Sequence, residues 1–160
     1  MQLYKTFITK LKRLISYYKL KLARLPASSH AIASGFACGS MVSFTPLLGL
    51  HFILAIVFAY LIRGNLIASL IGTVVGNPLT FPFIWGLIYK VGTYVTTIKQ
   101  VTFSHDINFE MIINQTYEIF FPMLVGGIII APLVWLITYF VIYSSISSYK
   151  KRKKRSKRSL

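Results

Sequence analysis

Two short polar clusters interrupt sequence that is otherwise apolar. The first holds Ser43, Thr45, Pro46, Gly49 and His51; the second holds Asn77, Pro78, Thr80 and Pro82. Proline lacks an N–H and clashes with the preceding helical turn, so each cluster releases backbone carbonyls and amides from helical pairing. In lipid such groups survive only where protein buries them or where they line a water-filled cavity. Hydroxyl and carboxamide side chains beside them can therefore do one of two things. They can cap and kink the chain, or they can combine with the freed backbone to bind a small polar ligand such as a lipid headgroup or an ion. His51 is the histidine within these apolar limbs. It can relay a proton or meet an anionic headgroup, although a plain hydrogen bond to a neighbouring helix is the commoner role.

Catalysis has little to work with. The carboxylates Asp106, Glu110 and Glu118 all lie outside the apolar limbs, so neither an intramembrane acid pair nor a carboxylate-assisted metal site is expected. Ser34, Ser40 and Ser43 have no evident general base, and no G-x-S-x-G element occurs. No catalytic residue, metal or cofactor is expected. Cys38 is the lone cysteine, which excludes an intrachain disulfide.

The elements that must position the two clusters are set by composition. Of 160 residues 55% are hydrophobic and 15% aromatic, with a mean hydropathy of +0.64, too apolar for an ordinary soluble domain. The apolar block falls into limbs: 31–44 and 47–62 around Pro46, then 66–76 and 79–92 around Pro78, with Arg63-Gly64-Asn65 between the pairs. At about 1.5 Å per residue a 16-residue limb reaches about 24 Å, short of a hydrocarbon core about 30 Å thick. Gly39-Ser40-Met41-Val42 before the first break parallels Gly72-Thr73-Val74-Val75 before the second, which suggests a duplicated limb–break–limb unit. Paired, Gly/Pro-interrupted hydrophobic segments mark binding sites in transporters. The run 119–143 is long enough to span with tilt, and Trp135, Tyr139 and Tyr143 approach its end as interfacial aromatics would.

Charge is concentrated at the ends. Eighteen Lys and Arg face three acids, and seven of the basic residues precede Pro26 while eight lie between Lys150 and Arg158. Residues 3–25 place Leu3, Phe7, Leu11, Leu14, Tyr18, Leu22 and Leu25 at alternating spacings of three and four, predicting a basic amphipathic helix rather than a cleaved signal. Three regions are expected: an interfacial helix over 1–26, a membrane domain over 27–148 and a basic cytoplasmic tail over 149–160. Lys5, Lys12, Arg13, Lys19 and Arg24, with Lys150, Lys151 and Arg152, are expected to meet anionic lipid. Without interleaved aromatics the tail predicts no specific nucleic-acid partner. Both basic ends favour the cytoplasm, which requires an even number of crossings. One broken segment is then expected to cross while the other re-enters, with the link between 90 and 118 outside.

The residues around the breaks also carry a resemblance. A Gly-rich approach (Gly35, Gly39), Pro46 followed by Gly49 and His51, a link ending in Asn65, and Asn77-Pro78-Leu79-Thr80 with Pro82 resemble the bacterial membrane family known as domain of unknown function 2062. That resemblance implies a small inner-membrane protein and supplies no catalytic residue. The expected fold is an all-α integral membrane protein of short broken or re-entrant helices plus one longer transmembrane helix. The expected function is transport or translocation through a polar site formed by two proline-broken hairpins. The alternative is a scaffold for a cell-envelope synthesis partner. A chain this small is expected to form a homo-oligomer if it encloses a pathway.

Overall fold

The computed structural model describes residues 2–96 and 109–156, with the backbone alone for 2–5, 7, 11 and 109–116. His105, Asp106, Lys157 and Arg158, and the side chains of Lys5 and Glu110, lie outside what is described. The described chain is helical, without a strand among the described residues. Among them one helix, over Tyr117–Ser156, is long and apolar enough to cross a membrane by length and composition.

Helix α1 spans Gln2–Ala23, the stretch with the amphipathic repeat. Among its described side chains, Leu22 and Ala23 join Ile32, Ala68, Ile71 and Ile146 in a core, with Tyr18 packed against it and Leu25, just beyond the helix, beside it. Leu14, on the same stripe, is 49% exposed.

Helix α2, Ser29–Val42, is the central element. The Ser28 hydroxyl caps it by accepting from the Ala31 N–H, and nine of its 14 residues are buried, nearly all of them small. Helix α3, Leu50–Leu61, then turns back: the chain beyond it returns to the start of α2, where the Asn65 N–H donates to the Ala31 carbonyl at 2.7 Å. Arg63 closes α3 at φ 55°, a left-handed position usually given to glycine.

Helix α4, Leu66–Gly72, is capped by the Asn65 carboxamide and tightens into a 3-10 turn over Thr73–Val75. It runs beside α2 in the same direction, because Asn65 lies against Gly35, Ser69 against Gly39 and Gly76 against Ser43. Helices α5, Phe81–Thr96, and α6, Phe109–Ser156, pack along each other. Their directions follow from paired contacts. Gly92 meets Pro122 and Gly126 meets Ile88, so α5 is antiparallel to α6; Lys150 reaches Ala27, His30 reaches Tyr139 and Gly127 meets Phe44, so α2 is antiparallel to α6 as well.

The two broken units therefore differ. After the first break the chain reverses, making a hairpin of α2 and α3. After the second it continues, so α4 and α5 form one broken rod in a single direction. The sequence parallel between the units holds for α2 and α4 and ends at the breaks.

Side-chain size, more than polarity, separates inside from outside among the described residues. The buried set is rich in Ala, Gly and Ser, including Ser34, Ser40, Ser43 and Ser69, while Phe52, Leu61, Phe83, Leu133 and Phe140 are among many large apolar residues left exposed. Small interior residues let backbones approach closely, which is how helices associate where apolar side chains gain nothing by leaving their surroundings.

Candidate functional site

The two breaks meet. The Ser43 hydroxyl donates to the Gly39 carbonyl at 3.0 Å within its own helix and lies 3.3 Å from the Thr73 carbonyl on the other unit. Gly76 faces Ser43 so closely that a Cβ there would lie 2.7 Å from the serine Cβ. Helix α6 supplies the third wall, with Gly127 against the Phe44 carbonyl. Ser43, Thr45 and Pro46 thus share one level of the bundle with Asn77, Pro78 and Thr80.

In the first break the chain leaves α2 by hydrogen bonds of shortened span, Phe44 N–H to Met41 and Thr45 N–H to Val42. The Thr45 hydroxyl donates back to the Val42 carbonyl at 2.8 Å. Gly49, at φ 84°, makes the turn into α3, and its N–H donates to His51 Nδ1 at 3.2 Å. Because the backbone is the donor, Nδ1 must present its lone pair, which leaves Nε2 as the ring position able to carry the proton. His51 is buried, with Phe52 against its ring.

In the second break Asn77 and Thr80 form a closed reciprocal pair. The Asn77 Oδ1 accepts from the Leu79 and Thr80 N–H groups at 2.9 and 3.2 Å, while the Asn77 N–H donates to Thr80 Oγ1 at 3.0 Å. Asn77 Nδ2 reaches the Val74 carbonyl, and Thr80 Oγ1 lies 2.7 Å from the Val75 carbonyl. This is a capping box: an N-cap side chain closes amides ahead of it while the residue three on closes its own amide. Pro78 lies in the turn over 78–80 that leads into α5, where its missing N–H leaves no helical bond unmade and the Phe81 N–H donates to the Asn77 carbonyl; Pro82 follows as the second residue of α5.

Asn65 is not brought to this cluster. It caps α4 near the start of α2, at the opposite end of the limb. The basic residues divide similarly: Lys12, Arg13, Lys19 and Arg24 are exposed on or just beyond α1, and Lys150 bonds the Ala27 carbonyl. Lys151 and Arg152 stay on α6, which continues through the basic stretch to Ser156 rather than ending before it.

Among the described residues, two cavities lie away from the breaks. One, of about 510 Å³, is almost wholly apolar and lies between Cys38, Phe58, Pro132 and Trp135. The other, of about 250 Å³, is polar and lies between α1 and α6, lined by Lys19, Ser144, Ser145, Ser148, Tyr149 and Arg152. The serines of this second site are absent from the sequence-based candidates. Their signal is the run Tyr143-Ser144-Ser145-Ile146-Ser147-Ser148, which places hydroxyls one turn apart and one turn before Arg152.

The chain belongs to the family described as an uncharacterized protein conserved in bacteria (DUF2062), which matches residues 12–155. No curated protein and no solved structure matches it.

Proposed function

We propose that this family member is a multi-pass protein of the bacterial inner membrane, of the translocation type, with a polar site for a lipid headgroup or an ion where its two helix breaks meet. The observation that carries the reading is the contact of Ser43 with Thr73 and Gly76, which sets two irregular backbone segments side by side inside an apolar-surfaced bundle. Ser43, Thr45, Pro46, Gly49 and His51 from one unit and Asn77, Pro78, Thr80 and Pro82 from the other form the site; Asn65 supports it by fixing α4 on α2.

The α2–α3 hairpin re-enters, the α4–α5 rod crosses, and α6 crosses back. Gly127, at the level of the breaks, lies eight residues from one end of the apolar run 119–143 and sixteen from the other. At 1.5 Å per residue that is about 12 Å and about 24 Å from its ends, deep in the hydrocarbon. Both termini then face the cytoplasm, where the positive-inside tendency wants α1 and the end of α6. A second copy of the chain is the expected partner in enclosing a path.

A specific observation favours a second reading, a membrane scaffold for an envelope-synthesis partner. The side chains of Asn77 and Thr80 are engaged with the backbone beside them, as a purely structural break requires. Accessibility separates the two. Cys38 is replaced by Ala, single cysteines are placed at Thr45 and Thr80, and an impermeant thiol reagent is applied from each side. Labelling at both positions supports a hydrated site. Protection of both from both sides, in correctly inserted protein, leaves the scaffold.

A further inference from the structure

We propose that the polar cavity between α1 and the last third of α6 binds one phosphate group, that of an anionic phospholipid headgroup. The site pairs two exposed positive charges with hydroxyl donors. Lys19 comes from α1 and Arg152 from α6, and Ser144, Ser145, Ser148 and Tyr149 line the space between them. On α6, Ser144, Ser148 and Arg152 follow at intervals of four, and neighbours at that spacing share one helix face. Ammonium, guanidinium and hydroxyl groups all donate to phosphate oxygens, the guanidinium in a two-pronged geometry.

The cavity's charge is uncompensated by any described acid. Of the carboxylates, Glu118 is the one whose side chain is described, and it stands 26 residues before Ser144 on the same helix, about 39 Å away. A volume of about 250 Å³ corresponds to roughly eight waters of liquid, ample for a phosphate and part of its glycerol ester.

Position selects the lipid over a free anion. The cavity begins at Ser144, one residue after the apolar run of α6 ends. Just before it, Trp135, Tyr139 and Tyr143 stack in a ladder with centroids 5.1 and 5.8 Å apart, and His30 bonds the Tyr139 hydroxyl at 2.8 Å. Aromatics of this kind mark the headgroup boundary, so the cavity sits at the depth of lipid phosphates. The headgroup would also tie α1 to α6 beyond the short core made by Leu22, Ala23 and Ile146. The inference rests on the membrane reading for this depth and is independent of whether the breaks carry anything.

The test is native mass spectrometry of the full-length chain released from detergent. It is titrated separately with short-chain phosphatidylglycerol, short-chain phosphatidylcholine and inorganic phosphate. One phosphatidylglycerol should bind in preference to phosphatidylcholine. Lys19→Ala and Arg152→Ala should each weaken it about tenfold, the expected loss of one charge-assisted contact. Lys12→Ala with Lys154→Ala removes two charges elsewhere, one more than either single change, and should still change binding less than about twofold, since exposed charges off the site act only through a screened field. Ser148→Leu fills the cavity without altering charge and should also abolish the preference. Equal loss in the Lys12/Lys154 variant, or unchanged binding in Ser148→Leu, would overturn the site. Saturation by inorganic phosphate with no phosphatidylglycerol preference would overturn the headgroup assignment and the membrane depth with it.

Discussion

Gly39 and Gly72 occupy reciprocal positions. A Cβ on Gly39 would lie 1.9 Å from the carbonyl oxygen of Ser69, three residues before Gly72, and a Cβ on Gly72 would lie 2.2 Å from that of Phe36, three residues before Gly39. Each glycine thus seats the backbone of the other helix, and the pair relates α2 to α4 by a local two-fold. The physical content of the sequence repeat is this contact: two backbones can come so near only where neither carries a side chain.

The contact predicts a sharp contrast among glycines. Gly39→Ala and Gly72→Ala each place a methyl group against rigid backbone, and overpacking of this kind destabilises by about 1–3 kcal/mol or more. Gly86, in α5, has nothing near its Cβ direction, so Gly86→Ala should stabilise by up to about 1 kcal/mol through helix propensity. Unfolding in mixed micelles, followed by helical circular dichroism, would order the three. Tolerance at Gly39 or Gly72 would refute the close packing of α2 on α4.

Asn77 and Thr80 should behave as one unit. Losing an N-cap costs about 0.5–2 kcal/mol, and Thr80→Val removes the reciprocal arm of the same box. The double variant Asn77→Ala/Thr80→Val should therefore lose less stability than the sum of its single changes, as expected for residues in one hydrogen-bond network. Strict additivity would show that the two cap independently.

The unlike directions of the two units yield a topology test. In protein lacking Cys38, single cysteines at Lys10 and Arg63 should label from one side of the membrane, and a cysteine at Thr96 from the other. Arg63 lies at the end of the returning α3, beside the start of α2, whereas Thr96 ends the rod that continues past the breaks. Labelling of Arg63 and Thr96 from the same side would mean that α4–α5 also folds back.

Two residues in left-handed conformation should respond in opposite ways. Gly49→Ala forces a Cβ into φ 84° and should destabilise by about 1–2 kcal/mol. Arg63→Gly relieves φ 55° and should stabilise by about 1 kcal/mol in detergent, where the charge has no headgroup to meet. Thermal unfolding of the two variants against the parent measures both signs.

Some of the site is legible in the sequence. A proline cannot continue helical pairing, so Pro46 and Pro78 announced breaks, and Asn-Pro-x-Thr carries its own capping chemistry in the identity and spacing of its residues. Gly49 with His51 was legible as a pair near a break but not in its geometry. Whether a ring nitrogen meets a backbone amide or a neighbouring helix depends on how the turn closes. The Lys19–Arg152 cavity was hidden because its halves are more than a hundred residues apart.

What the sequence determined by itself is local: helix wherever the apolar period runs, interruption wherever proline removes a donor, a long apolar span over 119–143, and basic ends. Those follow from backbone sterics and residue chemistry acting within a few turns. The tertiary structure alone decided that the first break reverses the chain and the second does not. Two similar limbs, each followed by a proline, are indistinguishable locally. Their different fates depend on what each following helix packs against: α3 returns along α2, while α5 finds the glycine-lined face of α6 at Gly126, where backbone can approach backbone.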